Sequence, residues 1–204
     1  AKNLLDQYQD KSHVTLYFKH PKTGGGKGIR PIKIQKDDFN ADNQLKEEKK
    51  EAINKAITEC HNEGKTFMTQ GEKVNLVLQY GIENAFHIEI QMIGDQFIGF
   101  RECSAQENGQ KKTEGTPNEL QKKYPALFKK MKENAIQLAK ETGMKGPNTV
   151  EFLMEEDGSN AYALEVNTRL QVEHLVTDAN TGAGVIGTSL LRDAGINIEQ
   201  LTPF

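Results

Sequence analysis

The stretch from Asn148 to Thr177, N-T-V-E-F-L-M-E-E-D-G-S-N-A-Y-A-L-E-V-N-T-R-L-Q-V-E-H-L-V-T, constrains this chain more than any other. Asp157-Gly158 is a turn signal with apolar/polar alternation on both sides, so the segment reads as a β-hairpin. Arms symmetric about Gly158 set Glu151 across from Glu165 and Met154 across from Tyr162. Val150, Phe152, Met154, Tyr162, Leu164 and Val166 then share one face; Glu151, Leu153, Ala163, Glu165 and Asn167 share the other. Carboxylates opposed in this way lie roughly 5 Å apart. At an effective dielectric of about 20 they repel by about 3 kcal/mol, a large share of the roughly 5–15 kcal/mol that holds a domain together. A divalent cation reverses the sign, and two carboxylates with an amide oxygen suit Mg²⁺ or Mn²⁺. A solvated face with two unrelated glutamates is the alternative that the hairpin alone leaves open.

Beyond the hairpin, Asn167, Arg169, Gln171 and Glu173 occupy every second position, with Leu170 and Val172 between. In an extended backbone these four project the same way and continue the acidic face. Arginine offers a planar fork to a carboxylate or carbonate, glutamine donates or accepts, and glutamate can take a proton. The strip suits a small oxyanion beside a metal.

A second anion-binding feature lies near the start. His13 to His20 reads as a strand that Pro21 stops; T-G-G-G-K-G-I-R follows at 23–30, then a second strand-like run, I-R-P-I-K-I. Consecutive glycines let backbone N–H groups converge on an anion, and Lys27 adds a cation. Gly28 follows the lysine where a Walker A loop has Ser or Thr, and no helix opens there. The pattern is a flap that closes over phosphates, or a plain mobile hairpin tip.

The remaining elements are more routine. Residues 1–12 read as a helix or its remnant, and Leu45 to Cys60 as an amphipathic helix stopped by Gly64. Val74 to Tyr80 reads as a strand, and 87–106 as a second hairpin around Gly94-Asp95. One helix is expected over Pro117–Thr142 with Gly143 as its cap, and a last one over Thr181–Ala194. A net charge of −3 without a basic block argues against a nucleic-acid partner. No apolar run reaches membrane-spanning length, and no signal peptide opens the chain. Cys60 and Cys103 are too few and too far apart for a cluster or disulfide framework, which suggests reduced thiols in a cytosolic-type compartment.

The run E-V-N-T-R-L-Q-V-E-H at 165–174 closely resembles the signature of biotin carboxylases, the ATP-grasp component of biotin-dependent carboxylases. H-I-E-I-Q and R-E-C-S-A-Q, at 87–91 and 101–106, resemble the family's H-V-E-I-Q and R-D-C-S-x-Q. The resemblance spans about Lys19 to Ile196. It implies an α+β, ATP-grasp fold, with a lid subdomain carrying the glycine flap at 1–80 and part of the antiparallel-sheet catalytic subdomain at 81–204. It also implies ATP-dependent activation of bicarbonate to carboxyphosphate and carboxylation of biotin on a carrier domain.

Carried over by position, the resemblance assigns Glu151, Glu165 and Asn167 to Mg²⁺ or Mn²⁺. Lys111, Arg169, Gln171 and the backbone of Val172 are assigned to bicarbonate, with Glu173 as general base. ATP contacts fall on Lys19, Gly24, Gly25, Gly26, Lys27, Tyr80, Ile82, His87, Gln106 and Leu153. A carrier domain and a carboxyltransferase are the implied partners, and the parent enzyme is expected to be a dimer, located in the cytoplasm or in a mitochondrial or plastid matrix.

The chain departs from the family at several positions. Gln79-Tyr80 stands for the usual Glu-Lys at the adenine hinge, Lys22 and Thr23 replace two flap glycines, and Glu102 replaces Asp. Glu107-Asn108-Gly109-Gln110-Lys111 replaces Arg-Arg-His-Gln-Lys, removing cationic positions while keeping Lys111. These changes keep two other readings open, a non-catalytic ATP-grasp module and a different ATP-grasp carboxylate–amine ligase. The chain is also short for the whole enzyme, so weak nucleotide binding and little carboxylation are expected of it alone.

Overall fold

Alternating β-branched and aromatic residues pair His13–Lys19 (β1) with Ile29–Gln35 (β2), His13 opposite Gln35 and Lys19 opposite Ile29. The computed structural model describes residues 12–23, 27–105 and 112–198. Val77–Tyr80 (β3), starting later than the expected Val74, pairs with the other side of β1 to give the order β2-β1-β3. Pro31 lies in β2, an edge strand, where a sheet tolerates it. Glu47–Gly64 (α1) supplies Ile53 to the cluster of Val14, Leu16 and Ile34. The helix outruns the expected Leu45–Cys60, and Gly64 is its last residue rather than its stop, at φ −73. Space demands the glycine: a Cβ there would overlap the His20 ring.

The second hairpin forms where Gly94-Asp95 signals it, Ala85–Ile93 (β4) against Gln96–Ala105 (β5), with Gly94 at φ +59. Lys112–Gly115 (β6), Pro147–Glu155 (β7) and Ala161–Asn167 (β8) complete a five-stranded antiparallel sheet, β6-β5-β4-β7-β8. Asn118–Lys123 (α2) and Pro125–Thr142 (α3) stand where one helix was expected. Tyr124 breaks it, because the residue before a proline leaves the α region, here at φ −127 and ψ 52. Gly143 caps α3 in the left-handed conformation, as its position implies.

Alternation along β4 and β7 sorts the sheet's two faces. Ile88, Ile90, Met92, Val150, Phe152 and Met154 bury one face against Phe128, Met131, Ala135 and Ala139 of α3. The other face carries Glu89, Gln91, Arg101, Thr149 and Glu151, all buried. His174–Thr181 (α4) packs on that polar face: Thr177 reaches Arg101, and a Cβ on Gly99 would come within 3.0 Å of Thr181 Cγ2. Val185–Asp193 (α5) follows and buries Val185 with Ile93, Ile98 and Ile198. The last helix, expected over Thr181–Ala194, starts only at Val185, because Gly182 and Gly184 both turn left-handed, at φ 69 and 59; α4 before it was not expected. The described residues divide into two compact units between Glu83 and Asn84. Among them no helix is long and apolar enough to cross a membrane.

Candidate active site

The β7–β8 hairpin brings Glu151 directly across from Glu165, and Thr149 across from Asn167. Asn167 Nδ2 donates to both carboxylates, 2.6 Å to Glu151 Oε1 and 3.1 Å to Glu165 Oε1. His87 Nε2 lies 2.7 Å from Glu151 Oε2. Glu151 is buried and Glu165 exposed, so the pair has one anchored member and one open to solvent.

Nearer the turn the register differs from the expected one. Met154 pairs with Ala161, and Tyr162 pairs with Leu153 and lies 43% exposed, off the apolar face. The turn is centred between Asp157 and Gly158, since the Glu155 N–H donates to Asn160 O. A register shift between Glu151 and Phe152 then inserts Leu164 as an extra residue and restores the opposition of the glutamates.

Three carboxylates and a guanidinium lie in one row across four strands. Arg101 pairs with Glu89, Glu89 with Glu151, and Glu151 with Glu165. Arg101 is fully buried; its Nε and Nη2 donate to Glu89 Oε2 at 3.2 and 2.6 Å, and its Nη1 to Gln91 Oε1 at 2.7 Å and Thr177 Oγ1 at 2.9 Å. That guanidinium neutralises the innermost acid and leaves the Glu151–Glu165 end negative. The donor set there fits a hard divalent cation: two facing carboxylates and an amide whose oxygen and nitrogen exchange places by a half-turn. At the far edge burial, and next the charge of Glu89, push the Glu114 carboxyl above its ordinary pKa.

The polar strip after Asn167 is not an extended continuation of β8. The strand ends at Asn167; residues 168–173 bend and turn, and Glu173 is already αR at φ −66 ahead of α4. Arg169 is exposed, with Nη1 3.4 Å from Leu170 O, and Val172 is 81% exposed. Gln171 is buried instead, its Oε1 accepting from Arg101 Nη2 at 3.3 Å. Alternation lost to helical period here: Gln171, His174 and Thr177, three residues apart, are the buried positions. Arg169, Gln171 and Glu173 therefore do not share the one direction that an extended strip gives them.

In the smaller unit Lys19 ends β1, Tyr80 ends β3 and packs against the Val14 cluster, and half-buried Ile82 follows. Lys27 sits at the flap's trailing edge, while Gly24, Gly25 and Gly26 lie outside the described residues. The flap base is tightly tied. Thr23 Oγ1 is 2.9 Å from His20 O and 2.7 Å from Lys27 O, Gly28 donates to Glu63 Oε2 at 2.5 Å, and Lys22 pairs with Glu72. Leu153 is His87's partner across β4 and β7. Gln106 and Lys111 also lie outside the described residues. Sequence reasoning missed Arg101, Thr149 and Thr177, which hold the polar face together.

Two α+β units, the larger presenting an acidic pair on an antiparallel sheet, make up an ATP-grasp domain. Residues 17–201 match the family described as carbamoyl-phosphate synthase L chain, ATP binding domain. Biotin carboxylase 1 of Bacillus subtilis is 31% identical over 86% of this chain and 36% of its own length. The biotin carboxylase–ATP-analogue complex of Campylobacter jejuni superposes with a TM-score of 0.69 at 31% identity, covering 94% of this chain and 38% of that one. The biotin carboxylase domain dimer of Hydrogenobacter thermophilus 2-oxoglutarate carboxylase, solved with MgADP, ADP and bicarbonate, gives 0.64 at 29% identity, covering 96% and 40%. The chain belongs to the carbamoyl-phosphate synthase L chain ATP-binding domain family and has the ATP-grasp fold of biotin carboxylases. It spans between 10% and 36% of the length of curated relatives such as yeast urea amidolyase and Bacillus biotin carboxylase 1.

Proposed function

We propose that this chain carries the lid, over 1–80, and part of the catalytic subdomain, over 81–204, of an enzyme that uses ATP and bicarbonate to carboxylate carrier-bound biotin. The observation that carries the reading is the Glu151–Glu165 opposition bridged by Asn167. These three would hold Mg²⁺ or Mn²⁺, whose chemistry is to neutralise charge on the transferring phosphoryl group. Lys19, Gly24, Gly25, Gly26 and Lys27 would contact phosphates, and Tyr80 and Ile82 the adenine end. His87, Gln106 and Leu153 complete the nucleotide contacts. His87 has a second task, orienting Glu151 through its 2.7 Å contact.

Arg169, Gln171, Lys111 and the Val172 backbone would bind bicarbonate, and Glu173 would take its proton as it attacks phosphorus. Gln171 must exchange its contact with Arg101 for the oxyanion or reach it with its free amide end. The MgADP and bicarbonate complex of the Hydrogenobacter neighbour supports these ligands, and the name of the Bacillus relative, biotin carboxylase 1, supports biotin as the acceptor; a biotinylated carrier and a carboxyltransferase are the partners this reading entails. A homodimeric parent and a cytosolic or organelle-matrix location complete the proposal.

Manganese titration in the presence of ATP is the test. Glu151→Gln and Glu165→Gln are each expected to weaken Mn–ATP binding about tenfold or more. Equal affinity in both variants overturns the metal assignment. Tight binding without bicarbonate-dependent turnover, even in a longer chain with the flanking sequence, points to a non-catalytic module.

A further inference from the structure

Next to the acidic pair lies a second group of ligands of different character. A ring nitrogen of His87, a Glu89 carboxylate oxygen and Cys103 Sγ all lie within 4.8 Å of one another. The register produces the cluster: His87 and Cys103 are direct partners across β4 and β5, and Glu89 follows His87 on the same face. Arg101 engages only Glu89 Oε2; Oε1 is buried without a hydrogen bond, 3.9 Å from His87 Nε2. Glu114 is Cys103's partner across β5 and β6. Its side chain is 9% exposed, with Oε2 3.9 Å from Arg101 Nε and the carboxyl group beside the Cys103 thiol. Buried polar atoms are rarely left without a hydrogen bond, and Glu89 Oε1, orphaned beside His87 on a fully buried residue, points to a missing cation.

We propose that His87, Glu89 and Cys103, with Glu114 completing the set, form a site for a thiophilic divalent cation such as Zn²⁺, separate from the Glu151–Glu165 pair. Imidazole, thiolate and carboxylate are the ligands zinc takes in tetrahedral sites, whereas Mg²⁺ takes oxygen. Ligand atoms around one zinc sit about 3.5 Å apart, given bonds of about 2.0–2.3 Å. The atoms here need close by only about 1 Å. Charge balances as well: thiolate, Glu89 and Glu114 carry three negative charges, and the metal with Arg101 carries three positive. His87, 19% exposed, is the edge through which the ion enters. Because His87 also contacts Glu151, zinc at this site would be felt at the neighbouring pair without occupying it.

Cobalt(II) reports thiolate ligation directly. The full chain titrated with Co²⁺, with no nucleotide and with excess Mg²⁺ to cover the carboxylate pair, should develop a sulfur-to-cobalt charge-transfer band and intense tetrahedral d–d bands. Equimolar Zn²⁺ should abolish both. Cys103→Ser should eliminate the charge-transfer band and weaken Zn²⁺ binding about tenfold or more, the low end of what even outer-shell losses cost at metal sites. Glu114→Gln should weaken Zn²⁺ binding while keeping the band, and circular dichroism confirms that each variant folds. Absence of the band in the wild-type chain, or equal Zn²⁺ affinity in folded Cys103→Ser, overturns the proposal. Because the band reports sulfur ligation alone and the Mn–ATP titration reads the carboxylate pair, failure here leaves the ATP-dependent reading standing.

Discussion

His87 and Glu151, on neighbouring strands of the larger sheet, meet with Nε2 2.7 Å from Oε2, while Asn167 holds the same carboxylate's other oxygen at 2.6 Å. Both oxygens of Glu151 are thus fixed from within the sheet, and Glu165 is left as the exposed partner. His87→Ala removes one of those fixings from a buried carboxylate. The expected cost is about 1–3 kcal/mol of stability, read by urea unfolding, with Mn–ATP binding weakened about tenfold. His87→Asn, which can still donate, should recover most of the stability. If His87→Ala unfolds at the same urea concentration as wild type, His87 does not orient Glu151.

Arg101 is the keystone of the polar face, so its partners define a second prediction. Arg101→Met leaves Glu89 as an uncompensated buried carboxylate, an outcome that costs roughly 3–5 kcal/mol. Adding Glu89→Leu removes the orphaned charge and should restore most of that loss. Arg101→Lys should fall between wild type and Arg101→Met, because an ammonium still compensates Glu89 but cannot reach Gln91 and Thr177 at the same time. Equal unfolding midpoints for single and double variants would count against the ion pair as the cause.

Glu72 supplies the pH prediction. Its pairing with Lys22, aided by the Thr69 N–H and hydroxyl, lowers its pKa from 4.5 to about 2. A depressed carboxyl contributes stability that is complete above its unfolded pKa and disappears as pH falls through the folded value. The tie at the flap base therefore persists at pH 5 and is lost on acidification from about 4.5 to about 2. Carboxyl NMR should place the Glu72 midpoint near the lower figure. In Lys22→Ala it should move up toward the ordinary range. A midpoint unmoved by that change would show that Lys22 does not hold the flap.

How much of this was legible in the chain turns on two inserted residues. Glu151 and Glu165 could be paired from the turn signal alone, but two errors cancelled there: the turn is centred half a residue earlier, and Leu164 makes up the difference. Tyr162, between turn and bulge, took the wrong face. In the other hairpin, counting outward from Gly94-Asp95 sets Glu89 opposite Phe100. A second register shift, between Gln91 and Met92, sets it opposite Arg101 and creates the ion pair. Bulges leave little trace in composition, whereas both turns and Gly143 announce themselves through residues that local geometry requires. Gln171 was misread because L-Q-V-E-H-L-V-T satisfies both periods; only the buried Arg101 makes the helical one win.

Gly64 gives the last and sharpest test of packing against propensity. It is helical at φ −73, so by propensity alone Gly64→Ala should stabilise α1 by about 0.8–1.0 kcal/mol. A Cβ at that position overlaps the His20 ring, which is 2% exposed and has no room to retreat. Overpacking of that kind costs about 1–3 kcal/mol, so the single variant should be destabilised. In a His20→Ala background the obstacle is gone, and Gly64→Ala should then raise the thermal midpoint. Calorimetry on the four proteins of this cycle decides the matter. A stabilising Gly64→Ala in both backgrounds would mean that the helix terminus, and not His20, sets the demand for glycine at the root of the flap.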